Sequence, residues 1–307
     1  MSCPKIPLPP KHVNMLHFVT TKRMRNSAFI LVVLVLATAS GAQTVQTQSP
    51  DSKSNHAKSV RAKLFLQAKD YQFESRAKAD KPVKLSLCDR SLLNWTNPLR
   101  AADLGIIALW EDEGLPLAIG TIYTIGPRYV HSLTSLSEYP LHANYQGKPA
   151  WTPSPGVKWH EWKAKPKSIA ISEALRKVQM RAIARQFEFQ LKNGTRAKSL
   201  RLMPEPLHRF KSKKHGVLDG AVLAFAEGND AEAVMILRAD ETDETWKYAF
   251  ARAGYFEMTG SLKGKQVWKV NHVRSANAGT RQYIDSPYVS SSVPVSDATA
   301  VWFDGGE

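Results

Sequence analysis

The sequence contains only two cysteines among 307 residues, Cys3 and Cys88. Cys3 lies in an N-terminal segment that we expect to be removed, which would leave a single thiol in the mature protein. A single thiol excludes an intramolecular disulfide and any metal site built from several cysteines. Cys88 alternates with Leu85 and Leu87, and this pattern favours a buried thiol over a reactive nucleophile.

The sequence also lacks the short motifs that mark common enzyme classes. It has no G-x-S-x-G, H-E-x-x-H, C-x-x-C, phosphate-binding glycine loop or G-x-G-x-x-G. Its histidines are scattered, so we expect neither a metal nor a cofactor. A carboxylate pair of the glycosidase type needs no local motif, but no two of the available carboxylates are singled out. These carboxylates belong to Glu111, Asp112, Glu113, Glu138 and Asp219.

Acidic residues are scarce beside basic ones, with 27 Asp and Glu against 42 Lys and Arg and a formal net charge of +15. Five of the basic residues precede an apolar run at 28–39, which has the length of a signal-peptide core and is short for a bilayer span. Small residues follow at 40–42. We therefore expect cleavage after Ala42 and an extracytoplasmic location, with no membrane span thereafter. An uncleaved anchor is the alternative, and Met15 and Met24 are alternative starts.

Two stretches of the chain share one pattern at an offset of 115 residues, which becomes 117 near their ends. The matches are Leu85 with Leu200, Gly105 with Gly220, Trp110 with Phe225, His131 with Tyr248, and 147–151 with 264–268. Aromatic residues match aromatic residues and glycines match glycines, which indicates an internal duplication. A chance likeness between two β-rich segments is the alternative. Short apolar segments bounded by turn residues predict antiparallel strands in both stretches.

The predicted fold class is α+β, mainly β, with two tandem antiparallel β-rich repeats and a connecting amphipathic helix. We place that helix at 172–191, with Ser172 as its N-cap, Asn193-Gly194 as its stop, and Ile171, Leu175 and Val178 on its apolar face. An edge strand is expected around 63–73. The predicted organisation is a signal peptide (1–42), a flexible spacer (43–62), repeat 1 (63–151), a proline-rich connector with the helix (152–199), repeat 2 (200–272) and a loosely ordered polar tail (273–307) with a short docking segment at 301–303.

Tryptophans and lysines supply the candidate binding residues. Trp95, Trp110 and Trp151 align with aromatic residues of the second stretch, so we expect them in the core. Trp159 and Trp162 have no counterpart and are candidate exposed aromatics. Two basic clusters could bind a polyanion, or could be solvated loops that keep the protein soluble. Their members are Lys163, Lys165 and Lys167 in the connector, and Arg209, Lys211, Lys213 and Lys214 in the second stretch.

Several segments carry a resemblance to a known group of proteins. They are WTNPLR (95–100), GIIALW (105–110), GLPLAIGTIY (114–123), HSLTSLSEYPL (131–141), LRLMPEPLHRF (200–210) and WKYAFAR (246–252). Together with the helical segment 175–184 and the run 218–239, they resemble an uncharacterised family of exported bacterial proteins. The resemblance covers about residues 60 to 270. It implies export and a recurring folded unit, and it supplies no catalytic residues.

Two classes of function follow from these patterns. We expect an exported, non-catalytic binding or structural module of the cell envelope, whose basic surface attracts acidic polysaccharide or another envelope polyanion. An extracytoplasmic hydrolase that acts on envelope or polysaccharide material is the alternative. Nucleic acid would suit the charge, but export makes it a poor physiological partner. A deep pocket with converging polar residues would favour the enzyme, and a filled core with a basic face would favour the binder.

Overall fold

A computed structural model describes residues 50–76, 81–100, 102–242, 244–273 and 288–294. The predicted signal peptide, its cleavage site after Ala42, and the segment from Val301 to Phe303 that we expected to dock lie outside these residues. In the part of the chain that the structure describes, neither of the two α-helices is long and apolar enough to cross a membrane. The described elements are mainly strands in antiparallel sheets, which confirms the predicted mainly β character.

The first half of the chain, residues 50–151, is a helix followed by strands. Its elements are α1 (Pro50–Lys69), β1 (Tyr71–Ser75), β2 (Val83–Lys84), β3 (Ser86–Leu87), β4 (Leu93–Asn97), β5 (Ala102–Asp112), β6 (Leu115–Ile125), β7 (Arg128–Ser135), β8 (Leu141–Tyr145) and β9 (Lys148–Trp151). A 3-10 turn, Pro98–Arg100, joins β4 to β5. One sheet has the order β3-β5-β6-β7, with β4 also pairing β5, and a second has the order β2-β1-β8-β9.

A connector, residues 152–172, contributes the short strand β10 (His160–Glu161) and leads to the second half, residues 173–270. The elements of the second half are α2 (Glu173–Ala184), β11 (Phe187–Asn193), β12 (Arg196–Leu202), β13 (His208–Ser212), β14 (Val217–Glu227), β15 (Asp230–Asp240), β16 (Lys247–Arg252), β17 (Glu257–Leu262) and β18 (Lys265–Val270). These strands and β10 form one sheet in the order β10-β16-β15-β14-β12-β11-β17-β18, with β13 also pairing β14.

The two halves place glycine and aromatic residues at matching points of their sheets. Trp95 of β4 lies opposite Gly105 of β5, and Phe210 of β13 lies opposite Gly220 of β14. Each aromatic ring covers the glycine so closely that a Cβ atom would lie 2.2 Å from the Trp95 ring or 2.3 Å from the Phe210 ring. Glycine is therefore required at both positions, since each lets a large ring lie flat against the neighbouring strand.

Each central sheet is covered on both faces. Along β5, Ile106 and Trp110 pack within the first half, whereas Ile107 between them packs against the second half. Along β14, Phe225 packs within the second half and Val222 packs against the first. Side chains of a strand alternate between its two faces. A strand whose side chains are nearly all apolar therefore contributes to one core on each face, and together the strands of the two halves build three cores. Two of the cores belong to single halves, and the third lies between the halves.

The helix α1 occupies the described part of the predicted spacer and much of the predicted edge strand. Residues 50–62 are helical, and the helix continues to Lys69 before β1 begins. Leu64 and Ala68 lie one turn apart and are buried, and Val60 packs beside them. This apolar stripe is narrow, because the opposite side chains are polar, and the sequence therefore looked unstructured. The strand β1 is not at an edge, since β2 and β8 pair with its two sides.

The helix α2 begins where we predicted and ends earlier. The Leu175 amide donates to the Ser172 hydroxyl at 3.3 Å, which confirms the N-cap. The predicted last turns instead form β11, whose burial alternates along the strand, and Gly194 lies in the hairpin to β12. The predicted apolar face is wrong at its start, although Ile183, further along the same face, is buried. Leu175 is exposed, whereas Arg176 is buried.

Two further observations concern the tail and the tryptophans. Tyr288–Pro294, in the predicted loose tail, is a strand, β19, that pairs with β7. β7 and β16 thus each receive a partner from outside the halves, β19 and β10 respectively.

Trp95, Trp110 and Trp151 are buried, which confirms their expected places in the core, and Phe225 is buried at the position that matches Trp110.

Candidate functional site

Three of the four cations in the basic cluster Arg209 to Lys214 are paired with carboxylates of the protein itself, whereas Lys213 is exposed and forms no ion pair among the described residues. Arg209 lies 2.6 Å from a carboxylate oxygen of the buried Asp219, and Lys211 lies 2.5 Å from Glu173. Lys214 lies 2.7 Å from Asp112. Strand β13 and the loop after it bring these cations against the start of α2 and the β5–β6 hairpin. Most of the positive charge of this cluster is therefore neutralised within the fold.

Asp219 explains why Arg176 is buried on α2. Arg176 Nε donates to Asp219 Oδ2 at 2.7 Å, and its guanidinium also donates to the carbonyl of Ile171 at 2.5 Å. Because Arg209 contacts the same carboxylate, one buried acid is held by two arginines. A buried charge is tolerated when it is paired and hydrogen-bonded in this way. The helix is therefore oriented by an ion pair, and its apolar residues Leu175 and Val178 are left in solvent.

The connector lysines have a different environment. We use this term for Lys158, Lys163, Lys165 and Lys167, which are all exposed. Among the described residues, none of the four forms an ion pair. Their backbone is nevertheless anchored, because β10 pairs with β16, the Trp162 amide donates to the Trp246 carbonyl at 2.7 Å, and Gln186 donates to the carbonyl of Lys165.

The two candidate aromatic residues also differ from each other. The prediction of an exposed ring is wrong for Trp162, which is 2% exposed and packs beside Phe187 and Tyr248 in the core of the second half. It was misjudged because the first half has no matching residue. Trp159 is half-buried, with the Arg238 guanidinium 4.3 Å from its ring centroid. A cation therefore already covers one face of this ring.

Charged side chains also meet between the halves in a group that we call the Arg100 cluster, which consists of Asn97, Arg100, Glu227, Asp230 and Glu232. Arg100 contacts the carboxylates of Glu227 and Glu232 and lies 3.7 Å from Asp230. Asn97 donates to Asp230 at 2.9 Å. Residues 97 and 100 lie at the end of β4 and in the turn that leads to β5, and the three acids lie on the β14–β15 hairpin. This cluster therefore joins one half to the other.

Burial raises the pKa of Glu232, and the neighbouring Asp230 carboxylate adds to the effect. One carboxylate oxygen of Glu232 contacts Arg100, whereas Oε2 has no hydrogen-bond partner in the described part of the protein. Burial also raises the pKa of Asp230. Carboxyl groups with raised pKa values are common in active sites. Whether these two could act on a substrate depends on the size of the cavity beside them.

The cavity beside the Arg100 cluster is small. Its volume is about 40 Å³, and Trp95, Tyr123 and Tyr255 line it together with the charged residues. A cavity of roughly 10–15 Å³ can hold one water molecule, so this space suits a few waters and is far below the roughly 300 Å³ of the smaller ligand pockets. The cluster is therefore better suited to joining the two halves than to binding a polymeric substrate.

A second polar group joins the halves in the reverse direction, and we call it the His215 cluster. Its members are Asp112, Glu113, Ser212, Lys214 and His215. His215 Nε2 lies 2.9 Å from Asp112, and the Ser212 hydroxyl donates to the Glu113 carbonyl at 2.7 Å. Here the loop belongs to the second half and the hairpin to the first. The candidate acids Asp112 and Glu113 are thus engaged with cations or in the contact between halves.

A third contact between the halves involves Cys88, Glu111 and His208. The thiol Sγ lies 3.6 Å from Glu111 Oε2, and His208 Nε2 lies 3.5 Å from the same oxygen. All three residues are half-buried, and they are the described residues whose donor atoms group closely enough to hold a metal ion. Burial, and then the charge of Glu111, raises the pKa of Cys88 to about 12. The hydrogen bond from His208 lowers the pKa of Glu111.

Sequence reasoning did not identify any of these three groups. Their members are far apart in the chain and only the packing of the halves brings them together. A signal was present for two of the groups, because Arg100 and His215 are 115 residues apart, as are Asp112 and Glu227. No protein-family model, curated protein or solved structure matches this chain. The resemblance to exported bacterial proteins therefore stays a prediction.

Proposed function

We propose that the described chain contains two copies of one unit, each made of a helix and the strands that follow it. The support is the equivalent order of elements and pairings, with β5 and β14 both 11 residues long and 115 residues apart. The copies begin at α1 and α2, so the helix we expected to connect two repeats is the first element of the second copy. The first copy then also begins with a helix, α1, which the predicted first repeat did not include.

The contacts between the halves support the same proposal. In a twofold arrangement, residue i of one copy contacts residue j of the other, and residue j of the first contacts residue i of the second. Arg100 meets Glu227, and at positions 115 residues away His215 meets Asp112. Asn97 and Ser212, also 115 residues apart, each bind the opposite hairpin. The two copies would thus be joined as a symmetric dimer is, within one chain.

We propose that this unit is an exported, non-catalytic binding module of the cell envelope and that the connector lysines bind an acidic polysaccharide or another envelope polyanion. The observation that carries this proposal is their exposure without a carboxylate partner among the described residues, while the Arg209 to Lys214 cluster is paired internally. Lysine carries a compact charge on a flexible side chain, and the backbone of the connector is held in place by hydrogen bonds to the second half. The proposal therefore retains one of the two predicted clusters.

The alternative of a hydrolase has less support. Of the carboxylates considered from the sequence, Glu111, Asp112, Glu113 and Asp219 contact cationic or histidine side chains. The acids with raised pKa values, Asp230 and Glu232, lie beside a cavity of water size. A polysaccharide hydrolase needs its two carboxyl groups to face a sugar-sized cleft.

The test compares two variants of equal charge on an immobilised acidic glycan, eluted with a salt gradient. Lys163→Glu, Lys165→Glu and Lys167→Glu together should abolish retention, because they replace three unpaired positive charges at one place with negative ones. Lys58→Glu, Lys63→Glu and Lys265→Glu together change the net charge equally at three scattered exposed positions and should retain most of the binding. Equal losses in the two variants would show that net charge alone governs retention and would contradict the proposed site.

A further inference from the structure

Three potential metal ligands from both halves meet at one point. Cys88 immediately follows β3, Glu111 lies on β5, and His208 is the first residue of β13. One donor atom from each lies within 4.8 Å of the others. A thiolate, an imidazole and a carboxylate are the three ligand types that zinc accepts in proteins.

Two of the three separations between the donor atoms fit one tetrahedral ion, and the third is within 4.8 Å. Zinc binds sulfur at about 2.3 Å, nitrogen at about 2.0 Å and oxygen at about 2.1 Å, so tetrahedral angles place S and O roughly 3.6 Å apart and N and O roughly 3.4 Å apart. The observed separations are 3.6 Å between Cys88 Sγ and Glu111 Oε2, and 3.5 Å between His208 Nε2 and the same oxygen. Both separations that involve the Glu111 oxygen therefore match those expected for two ligands of one zinc ion.

The backbone holds these ligands in place before any ion binds. The Cys88 amide donates to the Leu109 carbonyl at 2.9 Å, and Glu111 is paired with Ser86 on one side. His208 is paired with Val222, and its ring lies parallel to that of Phe210 with centroids 6.4 Å apart. Ligands fixed on strands lose little conformational freedom on binding. Because all three side chains are half-buried, a fourth ligand can approach from solvent.

We propose that Cys88, Glu111 and His208 bind one divalent metal ion of the zinc class, which joins the two halves. The thiolate and the imidazole favour such an ion over Ca²⁺ or Mg²⁺, which prefer oxygen ligands. On binding, the Cys88 thiol gives its proton to solvent and its sulfur forms the bond to the metal. Water would fill the fourth position, as in zinc sites with three protein ligands. The site is independent of the connector lysines and of the glycan proposal.

The experiment titrates the full chain with Co²⁺ in a Cys3→Ser background, which leaves Cys88 as the single thiol. One Co²⁺ per chain should bind and give a thiolate-to-cobalt charge-transfer band with the visible bands of tetrahedral cobalt, and Zn²⁺ should displace it. Cys88→Ser should abolish the charge-transfer band and weaken affinity by at least 100-fold, and Glu111→Gln and His208→Gln should each weaken it by at least 10-fold. The control His215→Gln alters another histidine–carboxylate contact between the halves and should change affinity less than twofold.

A second measurement needs no change in the three ligands. In the Cys3→Ser protein, one equivalent of Zn²⁺ should slow alkylation of Cys88 at least 10-fold, and the same amount of Mg²⁺ should not. An absent charge-transfer band, cobalt affinity unchanged by Cys88→Ser, or an alkylation rate unaffected by Zn²⁺ would overturn the proposal. Loss of glycan retention with metal binding intact would affect only the proposed function.

Discussion

The Arg100 and His215 clusters are centred 115 residues apart in the chain and differ in burial. The Arg100 side chain is 19% exposed and its partner Glu232 is 1% exposed, whereas the side chains of His215 and Lys214 are 30% and 36% exposed. Both clusters connect a loop of one half to a hairpin of the other. One position thus holds a half-buried arginine with three acids, and the other holds a more solvated group around a single buried aspartate.

The difference in burial predicts that the two clusters contribute unequally to the free energy of unfolding. Around Arg100, removal of the cation would leave the buried Glu232 without its cationic partner and Asp230 with only the Asn97 amide, which is strongly unfavourable. Around His215, water can replace the lost contact, because solvent reaches both cations. The geometry of the contact is thus shared by the halves, whereas its contribution to stability depends on local burial. Matched substitutions in the two halves can measure this contrast.

The largest expected effect comes from truncating the two cations. Arg100→Ala should lower the free energy of unfolding by about 3–5 kcal/mol, since it leaves Glu227, Asp230 and Glu232 without their shared cation. His215→Ala should lower it by less than about 1 kcal/mol, as partly exposed ion pairs contribute little. Urea unfolding of both variants at neutral pH measures the difference. Equal losses would show that burial does not separate the two clusters.

The paired glycines should respond alike. Gly105→Ala and Gly220→Ala each force a Cβ atom into a buried aromatic ring, and overpacking of this kind costs up to about 3 kcal/mol. Thermal unfolding would report both losses. Trp95→Leu combined with Gly105→Ala serves as the control, because the smaller side chain makes room and the second substitution should cost less in that background. A destabilised Gly105 variant beside an unaffected Gly220 variant would argue against equivalent packing.

A pH effect should distinguish His131 from Tyr248, which lies at the matching position. Burial lowers the pKa of His131 to about 3, against an ordinary value of 6.5. The unfolded chain therefore binds a proton below pH 6.5 that the folded protein excludes, so the free energy of unfolding falls as pH falls from 6.5 towards 3. The loss due to this group should reach about 2 kcal/mol by pH 5.

Urea unfolding between pH 7 and pH 4 tests the prediction. His131→Phe should show a shallower loss of stability than the unchanged protein, whatever its stability at pH 7, while Tyr248→Phe should keep the original slope. The aromatic neighbours of His131, Tyr71 and Tyr145, do not titrate in this range. A slope unchanged by His131→Phe would mean that other groups account for the acid sensitivity.

The mainly β fold was predictable because short apolar runs and turn residues are local signals. The strand Gly105 to Trp110 and the Ser172 cap are examples. The end of α2 was not predictable in this way, because FEFQLKN (187–193) continues the apolar residues of the helix while alternating as a strand does. Whether this segment folds as helix or strand depends on β17, which pairs with β11 from more than 60 residues away.

The candidate sites depended even more on distant contacts. Nothing near Arg209 or Lys211 in the sequence indicates that Asp219 and Glu173 pair with them. The charge of a segment therefore predicted a surface that the fold largely neutralises. The group Cys88, Glu111 and His208 has no spacing to recognise, since the residues come from two strands and the end of a third, in both halves. Detecting it requires knowing how the halves pack.

Double-mutant cycles test the equivalence of the halves most directly. Cycles on the matched pairs Arg100 with Glu227 and His215 with Asp112 would be measured by urea unfolding, together with the crossed pairs Arg100 with Asp112 and His215 with Glu227. The account predicts favourable coupling in both matched pairs, above about 1 kcal/mol for Arg100 and about 0.3–1 kcal/mol for His215, and additivity in the crossed pairs. Coupling in a crossed pair, or none in a matched pair, would contradict the reciprocal arrangement of the halves.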